Sequence, residues 1–233
     1  MIGACVLLSP ALLWGCAWPP PGGMALWHIV EAGCNGGRSH GPELKCDPRR
    51  REAVLKDICG PTHFLLIPAA RREGVESSEL MRDEEPNYFA DAWEARSEVI
   101  AASGRRDVGT DELGLAINSR WGRSQSQLHI HIDFVAPATR DALRQWSRQG
   151  GTAGAIELAG HRYRVGHLAS LQSPTPFQRV VRADQSKWRR ARLTIAVIGD
   201  GASGFYLLTD HADLLGSDRG HAEELLVPRQ CGP

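Results

Sequence analysis

The sequence predicts an α+β protein built on antiparallel strands, and three observations carry that prediction. Gln127–Val135 alternates strictly, with Leu128, Ile130, Ile132 and Phe134 set against Gln127, His129, His131 and Asp133. That period of two is the pattern of a strand with one face on a core. Two apolar runs, Leu193–Ile198 and Gly204–Thr209, are joined through Gly199-Asp200-Gly201, a strong hairpin signal. Helical patterns are interspersed among such strands, which favours α+β over a doubly wound parallel sheet.

Taken in order, residues 24–33 read as a short helix, with Leu26, Ile29 and Val30 at helical spacing. Ala53–Asp57 and Thr62–Ile67 read as strands around the turn Cys59-Gly60-Pro61, and Pro68 closes the second. Arg71–Leu80 reads as a polar loop. Pro86 opens a helix that runs to about Ser103, since proline is well tolerated in a first helical turn. Leu113–Ile117 is a further strand, and Asn118–Ser126 a polar loop leading into the histidine strand. Pro137 precedes a helix over Thr139–Gln149 with Leu143 and Trp146 inward, which Gly150-Gly151 breaks. Residues 152–190 give no clear pattern, and His221–Leu226 reads as a last helical turn.

The chain has 233 residues, long enough for one domain with a real core. With 42% hydrophobic and 23% charged residues it is not composed like a disordered chain. Lys+Arg and Asp+Glu both number 27, so net charge gives no support for nucleic acid as a partner. Residues 2–18 carry no charge and include Val6, Leu7, Leu8, Leu12, Leu13 and Trp14, and Pro19-Pro20-Pro21-Gly22-Gly23 ends any helix. This run is short for a membrane span and close to a signal-peptide core. Leu13-Trp14-Gly15-Cys16 loosely resembles a lipoprotein cleavage box. The expected division is therefore a signal or anchor segment with its linker over 1–23, with a frayed cytosolic tail as the alternative, and one domain over 24–233. The expected location is the periplasmic face of the inner membrane, held by the N-terminal anchor or a lipidated Cys16. Six cysteines agree with export. Cys34 and Cys46 bracket a polar loop that a disulfide would staple, with free buried thiols as the alternative. There is no Cys-x-x-Cys pair, so no structural zinc is expected.

The histidine strand and the loop before it carry the chemistry. Asn118-Ser119-Arg120-Trp121-Gly122-Arg123-Ser124 offers exposed backbone N–H groups, two guanidinium groups and hydroxyls, a set suited to phosphate oxygens. His129 and His131 follow on one strand face. An imidazole nitrogen in line with a bound phosphate can attack phosphorus and split one hard displacement into two easier ones. A second imidazole can hold a phosphate oxygen or protonate the leaving group.

The His-x-His core after a Gly-x-Ser loop resembles the histidine-triad superfamily of nucleotide hydrolases and transferases. Leu65-Leu66-Ile67-Pro68, Gly74-Val75-Glu76-Ser77, Pro86-Asn87-Tyr88-Phe89, Ala92-Trp93-Glu94-Ala95-Arg96, Ala116-Ile117-Asn118-Ser119-Arg120 and Ala222-Glu223-Glu224-Leu225 together resemble bacterial CDP-diacylglycerol pyrophosphatase. The resemblance implies a histidine-triad-like antiparallel sheet with packed helices. It implies hydrolysis of CDP-diacylglycerol, or another CDP-linked substrate, to CMP and phosphatidate at a membrane surface. It makes His129 the nucleophile and His131 the group at phosphate and leaving group. Gln127 stands where the superfamily has its first histidine, and Arg71 stands three residues after Pro68, where many members have another. Arg71, Asn118, Arg120, Arg123, Ser124 and Gln127 are the implied phosphate-binding set. Asn87, Tyr88, Phe89 and Trp93 are the implied nucleotide pocket, with Phe89 and Trp93 equally readable as core. No cofactor and no metal are implied, and relatives in the superfamily are often homodimers.

Two other functions fit the same residues. His129 and His131 could be ligands of a metal-dependent periplasmic phosphohydrolase. The basic loop could serve an anchored protein that binds nucleotide or lipid without turnover. His28, His40, His63, His161, His167, His211 and His221 read as non-catalytic.

Overall fold

In the computed structural model, which describes residues 23–35, 43–181, 186–213 and 218–229, the strands form a single antiparallel sheet. In chain order they are β1 (Leu44–Asp47), β2 (Glu52–Lys56), β3 (Phe64–Pro68), β4 (Leu113–Ile117), β5 (Ile130–Phe134), β6 (Gly154–Leu158), β7 (His161–Leu168), β8 (Leu193–Gly199) and β9 (Phe205–His211). Their order across the sheet is β1-β2-β3-β5-β4-β8-β9-β7-β6. The helices are α1 (Ala25–Val30), α2 (Tyr88–Ser103), α3 (Pro137–Arg148), α4 (Pro176–Val181) and α5 (Lys187–Arg192). The α+β expectation therefore holds, with helices on both faces of the sheet.

The pleat sorts the side chains. On one face, Leu66, Leu115, Ile117, Ile130, Ile132 and Ile195 join Tyr88, Phe89 and Val99 of α2 and Phe177 and Val181 of α4 in the largest apolar cluster. The helix α2 starts at Tyr88, two residues after the expected Pro86, and ends at the expected Ser103. Asn87 caps it by accepting from the Ala90 N–H at 3.3 Å, and Gly104 ends it in the left-handed region at φ 66°. On the other face, α1 lays Leu26 and Val30 on Ala53, Leu65 and Ile67. Further along that face, Leu143 of α3 and the 3-10 turn Ala222–Leu225 cover Ala116, Ala196 and Ile198. Between these two covers lies a cleft.

Several expectations need correction. The histidine strand enters the ladder only at Ile130, because Leu128 N–H donates to the Arg72 carbonyl rather than to a neighbouring strand. Residues 24–33 are helical, but the α-helix gives way to a π-helical turn over Glu31–Asn35. The Arg71–Leu80 loop ends in a 3-10 turn, Ser78–Met81. The unreadable stretch 152–190 contains the hairpin β6–β7, turned by Ala159 (φ 50°) and Gly160 (φ 80°). It also contains α4 and much of α5. The polar edge strand β1 shows no apolar alternation and escapes a sequence reading. The expected Cys34–Cys46 disulfide is present, with the Cα atoms 5.6 Å apart. Cys59 is also disulfide-bonded. The leader 1–22, with Cys5 and Cys16, lies outside the described residues. No helix among the described residues is long and apolar enough to cross a membrane.

Candidate active site

The cleft has a volume of about 530 Å³. Its apolar lining comes from Leu26 and Ile29 of α1, Leu55, Leu65 and the almost fully exposed Ile58, with Glu43, Lys56 and Asp57 beside them. Its polar lining comes from Asn118, Arg123, Ser124, His129, His131 and, from the chain's last described segment, Glu223 and Arg229. A second cavity of about 540 Å³, beside Leu193 and Leu207, is rimmed by Arg164, Arg179, Arg189 and Arg192. Its size is similar, but its only imidazole is His211, and no paired nucleophile and acid meet there.

Register explains the histidine cluster. His131 stands opposite Leu65 on β3 and Ala116 on β4, and Asp133 stands opposite Gly114. Ala116 is a small neighbour for the His131 imidazole, and the space over Gly114 is filled by Leu226, Val135 and Ile198. Phe64 pairs with Ile132, so His63, one residue earlier, falls beside Asp133. The contacts follow. His63 Nδ1 lies 3.2 Å from Asp133 Oδ2, and His63 Nε2 lies 2.9 Å from His131 Nδ1. Thr62 donates to Asp133 Oδ1 at 2.7 Å, and the Phe134 N–H donates to the same oxygen at 2.8 Å. His131 Nε2 lies 3.2 Å from Glu223 Oε2, but without hydrogen-bond alignment, so this buried nitrogen is left unsatisfied. Arg229 holds that Glu223 oxygen closely and reaches Asp57 Oδ2 at 3.2 Å.

His129 is oriented by its own strand. Its Nδ1 lies 2.8 Å from the Gln127 carbonyl, an acceptor only, so Nδ1 carries the proton. The lone pair then sits on Nε2, the nitrogen left for the cleft. Burial drives the His129 pKa down to about 4, the Gln127 hydrogen bond opposes this, and Arg123 and Arg229 add to it. His131 is held well below the usual imidazole range by burial first, then by His129, His63 and Arg229. Both side chains are nine-tenths or more buried, and the His129 and His131 rings meet edge-on at 4.9 Å.

The remaining sequence-derived residues divide. Arg123, Ser124 and Asn118 line the cleft with the histidines, and Asn118 Oδ1 accepts from the Glu223 N–H at 3.1 Å. Arg120 is committed to Glu76 at 3.2 Å and does not line the cleft. Arg71 is exposed outside it. Gln127 is fully buried, donates to the Pro68 and Ala70 carbonyls at 3.0 Å and accepts from the Arg72 N–H. Its amide pins the turn after β3 rather than facing a ligand. Asn87, Tyr88, Phe89 and Trp93 belong to α2, on the opposite side of the sheet from the histidines, and none lines the cleft. Tyr88 donates to Glu85, and Phe89 stacks against Phe177 at 4.8 Å.

His63, Glu223, Arg229 and Asp57 reach the site without a sequence signal of their own. The alternation His63, Leu65, Ile67 does place His63 on one face of β3, but its partner Asp133 is 70 residues away. Among the described residues, the one group of three side chains spaced to share a metal ion is His161, Asp210 and Asp218. It includes neither His129 nor His131.

Comparison with known proteins adds the identity. A protein-family model described as CDP-diacylglycerol pyrophosphatase matches residues 22–232. A Yersinia pestis CDP-diacylglycerol pyrophosphatase is 40% identical over 224 aligned residues, which cover 86% of this chain and 81% of that protein. On these matches, and with a buried imidazole pair beside a cleft of mixed polar and apolar lining, the chain belongs to the CDP-diacylglycerol pyrophosphatase family of hydrolases.

Proposed function

We propose that the enzyme cleaves CDP-diacylglycerol to CMP and phosphatidate through a covalent cytidylyl-histidine on His129, as in the histidine-triad superfamily it resembles. The observation that carries this reading is the hydrogen bond from His129 Nδ1–H to the Gln127 carbonyl, which leaves the Nε2 lone pair for the cleft. Burial keeps that imidazole neutral at pH 7, the state a nucleophile needs. The Nε2–P bond forms as the P–O bond to phosphatidate breaks, and the bridging oxygen leaves with the lipid. Water then attacks the same phosphorus, the P–N bond breaks, and CMP departs with His129 restored. His131, with a buried Nε2 beside the cleft, assists the leaving oxygen.

Arg123, Arg229 and Lys56 are the cations that line the cleft, and the two arginines are the ones suited to bridging pyrophosphate oxygens. The apolar lining of Leu26, Ile29, Leu55 and Ile58 supports a place for the acylglycerol end. The same reading puts the protein at the periplasmic face of the inner membrane. The uncharged residues 2–18 and the Cys34–Cys46 disulfide support it.

The test is turnover of purified protein on CDP-diacylglycerol with and without chelator, followed by acid-sensitive trapping with cytidine-labelled substrate. The expected result is chelator-insensitive CMP release and an acid-labile CMP adduct absent from His129→Ala. Wild-type turnover by His129→Ala sinks the nucleophile, loss with chelator favours metal ligation by the histidines, and saturable binding without turnover favours a binding protein.

A further inference from the structure

The cavity beside Leu193 and Leu207 lies on the α2 face of the sheet, away from the histidines, and the proposed reaction does not use it. Register sets its floor. Arg164 on β7 stands opposite Thr209 on β9, Gly166 opposite Leu207, and His211 opposite Leu193 on β8. A Cβ built on Gly166 would meet nothing within 4 Å, so the floor stays open there. Arg179 of α4 with Arg189 and Arg192 of α5 complete the rim. No carboxylate stands among the described lining residues. Arg192 Nε donates to the Ala212 carbonyl at 2.8 Å, and its guanidinium lies over the Trp188 ring at 5.0 Å. Arg164, Arg179 and Arg189 form no ion pair among the described residues. Four permanently charged guanidinium groups around one opening repel one another until an anion sits between them.

The position and lining of the cavity select the anion. Gly23, the residue after the leader, donates to the Ser124 carbonyl at 2.7 Å and accepts from the Ser126 N–H at 2.8 Å. The leader therefore joins the fold at the loop after β4. From the same loop, the Arg120 N–H donates to the Ala191 carbonyl of α5 at 2.8 Å. The leader's attachment and the α5 rim thus share one end of the sheet. On α5, Trp188 is 43% exposed between Lys187 and Arg189. A half-exposed indole among cations suits a membrane interface. No Phe, Tyr or Trp stands among the described lining residues to stack a nucleobase. Val165, Val180 and Leu207 suit an uncharged glycerol ester below the phosphate. We infer that this arginine cavity is a second lipid site, apart from the catalytic cleft, that takes the phosphate headgroup of an anionic phospholipid. The inference rests on the reading of the leader as a membrane anchor. With the leader as one attachment and the headgroup as another, the sheet end is held against the bilayer instead of swinging on a single tether.

The test reads tryptophan fluorescence of the full chain in uncharged micelles doped with phosphatidylglycerol or phosphatidylcholine whose brominated acyl chains quench indoles. Subtracting the Trp188→Phe signal isolates Trp188, and Trp14 and Trp18 report the leader. The leader should be quenched alike by both lipids, and Trp188 several-fold more strongly by phosphatidylglycerol. Arg164→Gln combined with Arg189→Gln should cut that anionic advantage about tenfold. Gly166→Phe keeps every charge, sits outside the left-handed region and fills the floor, so it should remove the advantage as well. Both variants should release CMP from a soluble CDP-linked ester at the wild-type rate, since neither touches the cleft. Equal quenching of Trp188 by the two headgroups in the wild type, a comparison that needs no variant to fold, overturns the inference. So does a Gly166→Phe variant, folded by its CMP release, that keeps the wild-type advantage, because the charge would then act as a diffuse surface. If inorganic phosphate shifts Trp188 emission as far and the anionic lipid adds nothing, the site takes a free anion and the lipid assignment falls. Absence of quenching at every tryptophan, by either lipid, sinks the anchor and the inference with it.

Discussion

Arg123 and Glu76 are locked together beneath the cleft, with Arg123 Nη1 donating to Glu76 Oε2 at 3.0 Å and Nη2 donating to Oε1 at 2.5 Å. Burial alone would push the Glu76 carboxyl up, but Arg123 and Arg120 pull it below the usual carboxylate range. The loop arginines are therefore arranged by a buried anion before any phosphate arrives. Glu76→Gln leaves two buried guanidinium groups without their carboxylate. It should cost about 3 kcal/mol, or roughly 10 °C in melting temperature, by thermal denaturation. Gly74→Ala should act in the same direction, since its Cβ would lie 2.7 Å from Glu76 Oε2 and collide with the Arg123 guanidinium.

The pH profile of kcat/KM should follow the buried His129. A nucleophile must be deprotonated, so activity falls as pH drops through its pKa. With that pKa lowered to about 4, activity toward a soluble CDP-linked substrate should stay level from pH 7 to about 5 and fall near 4. An acid limb centred near the ordinary imidazole value of about 6.5 would contradict the burial argument.

Stability should show the same histidine with its own sign. His129 is neutral in the fold down to about pH 4, whereas in the unfolded chain it takes up a proton near the ordinary value of about 6.5. The unfolded state therefore binds more protons between these values, and stability declines as pH falls through the window. For His129 alone the loss approaches roughly 3 kcal/mol at the acid end. His129→Gln should flatten that part of the curve in denaturant titrations from pH 7 to 4.

Three substitutions separate the cleft from the core behind it. Phe89→Ala should cost about 3 kcal/mol of stability, as a large buried side chain is lost, while the KM of the folded enzyme stays unchanged. Arg71→Ala should leave kcat/KM within about twofold, because Arg71 is exposed outside the cleft. Arg229→Ala should lower kcat/KM by about 10²-fold, the scale of one charge-assisted contact to a phosphate and its support of Glu223.

Ile58 tests where the lipid lies. It is 90% exposed in the apolar lining of the cleft. Ile58→Glu should lower kcat/KM for CDP-diacylglycerol in mixed micelles about tenfold, the cost of setting a charge against acyl chains or a negative surface. The same variant should keep its activity on a soluble CDP-linked ester within about twofold. Equal losses on both would place the lipid elsewhere.

The strand periodicity of Gln127–Val135 was enough to set two imidazoles on one face, and Pro86 was enough to place the start of α2 to within two residues, because alternation and helix starts are local properties of the chain. The hairpin β8–β9 was legible for the same reason. What local pattern could not reveal was pairing across the sheet. His63 meets Asp133 only because β3 lies against β5, and Glu223 and Arg229 reach the histidines from the far end of the chain. Tertiary packing also decided which polar groups stay available. It used Arg120 and Gln127 internally, put Tyr88 and Phe89 behind the sheet, and left Arg71 outside the cleft. A buried polar group must find a partner wherever the fold supplies one, so residue types near the site were readable from sequence, while their division into structure and chemistry was settled only once the sheet closed.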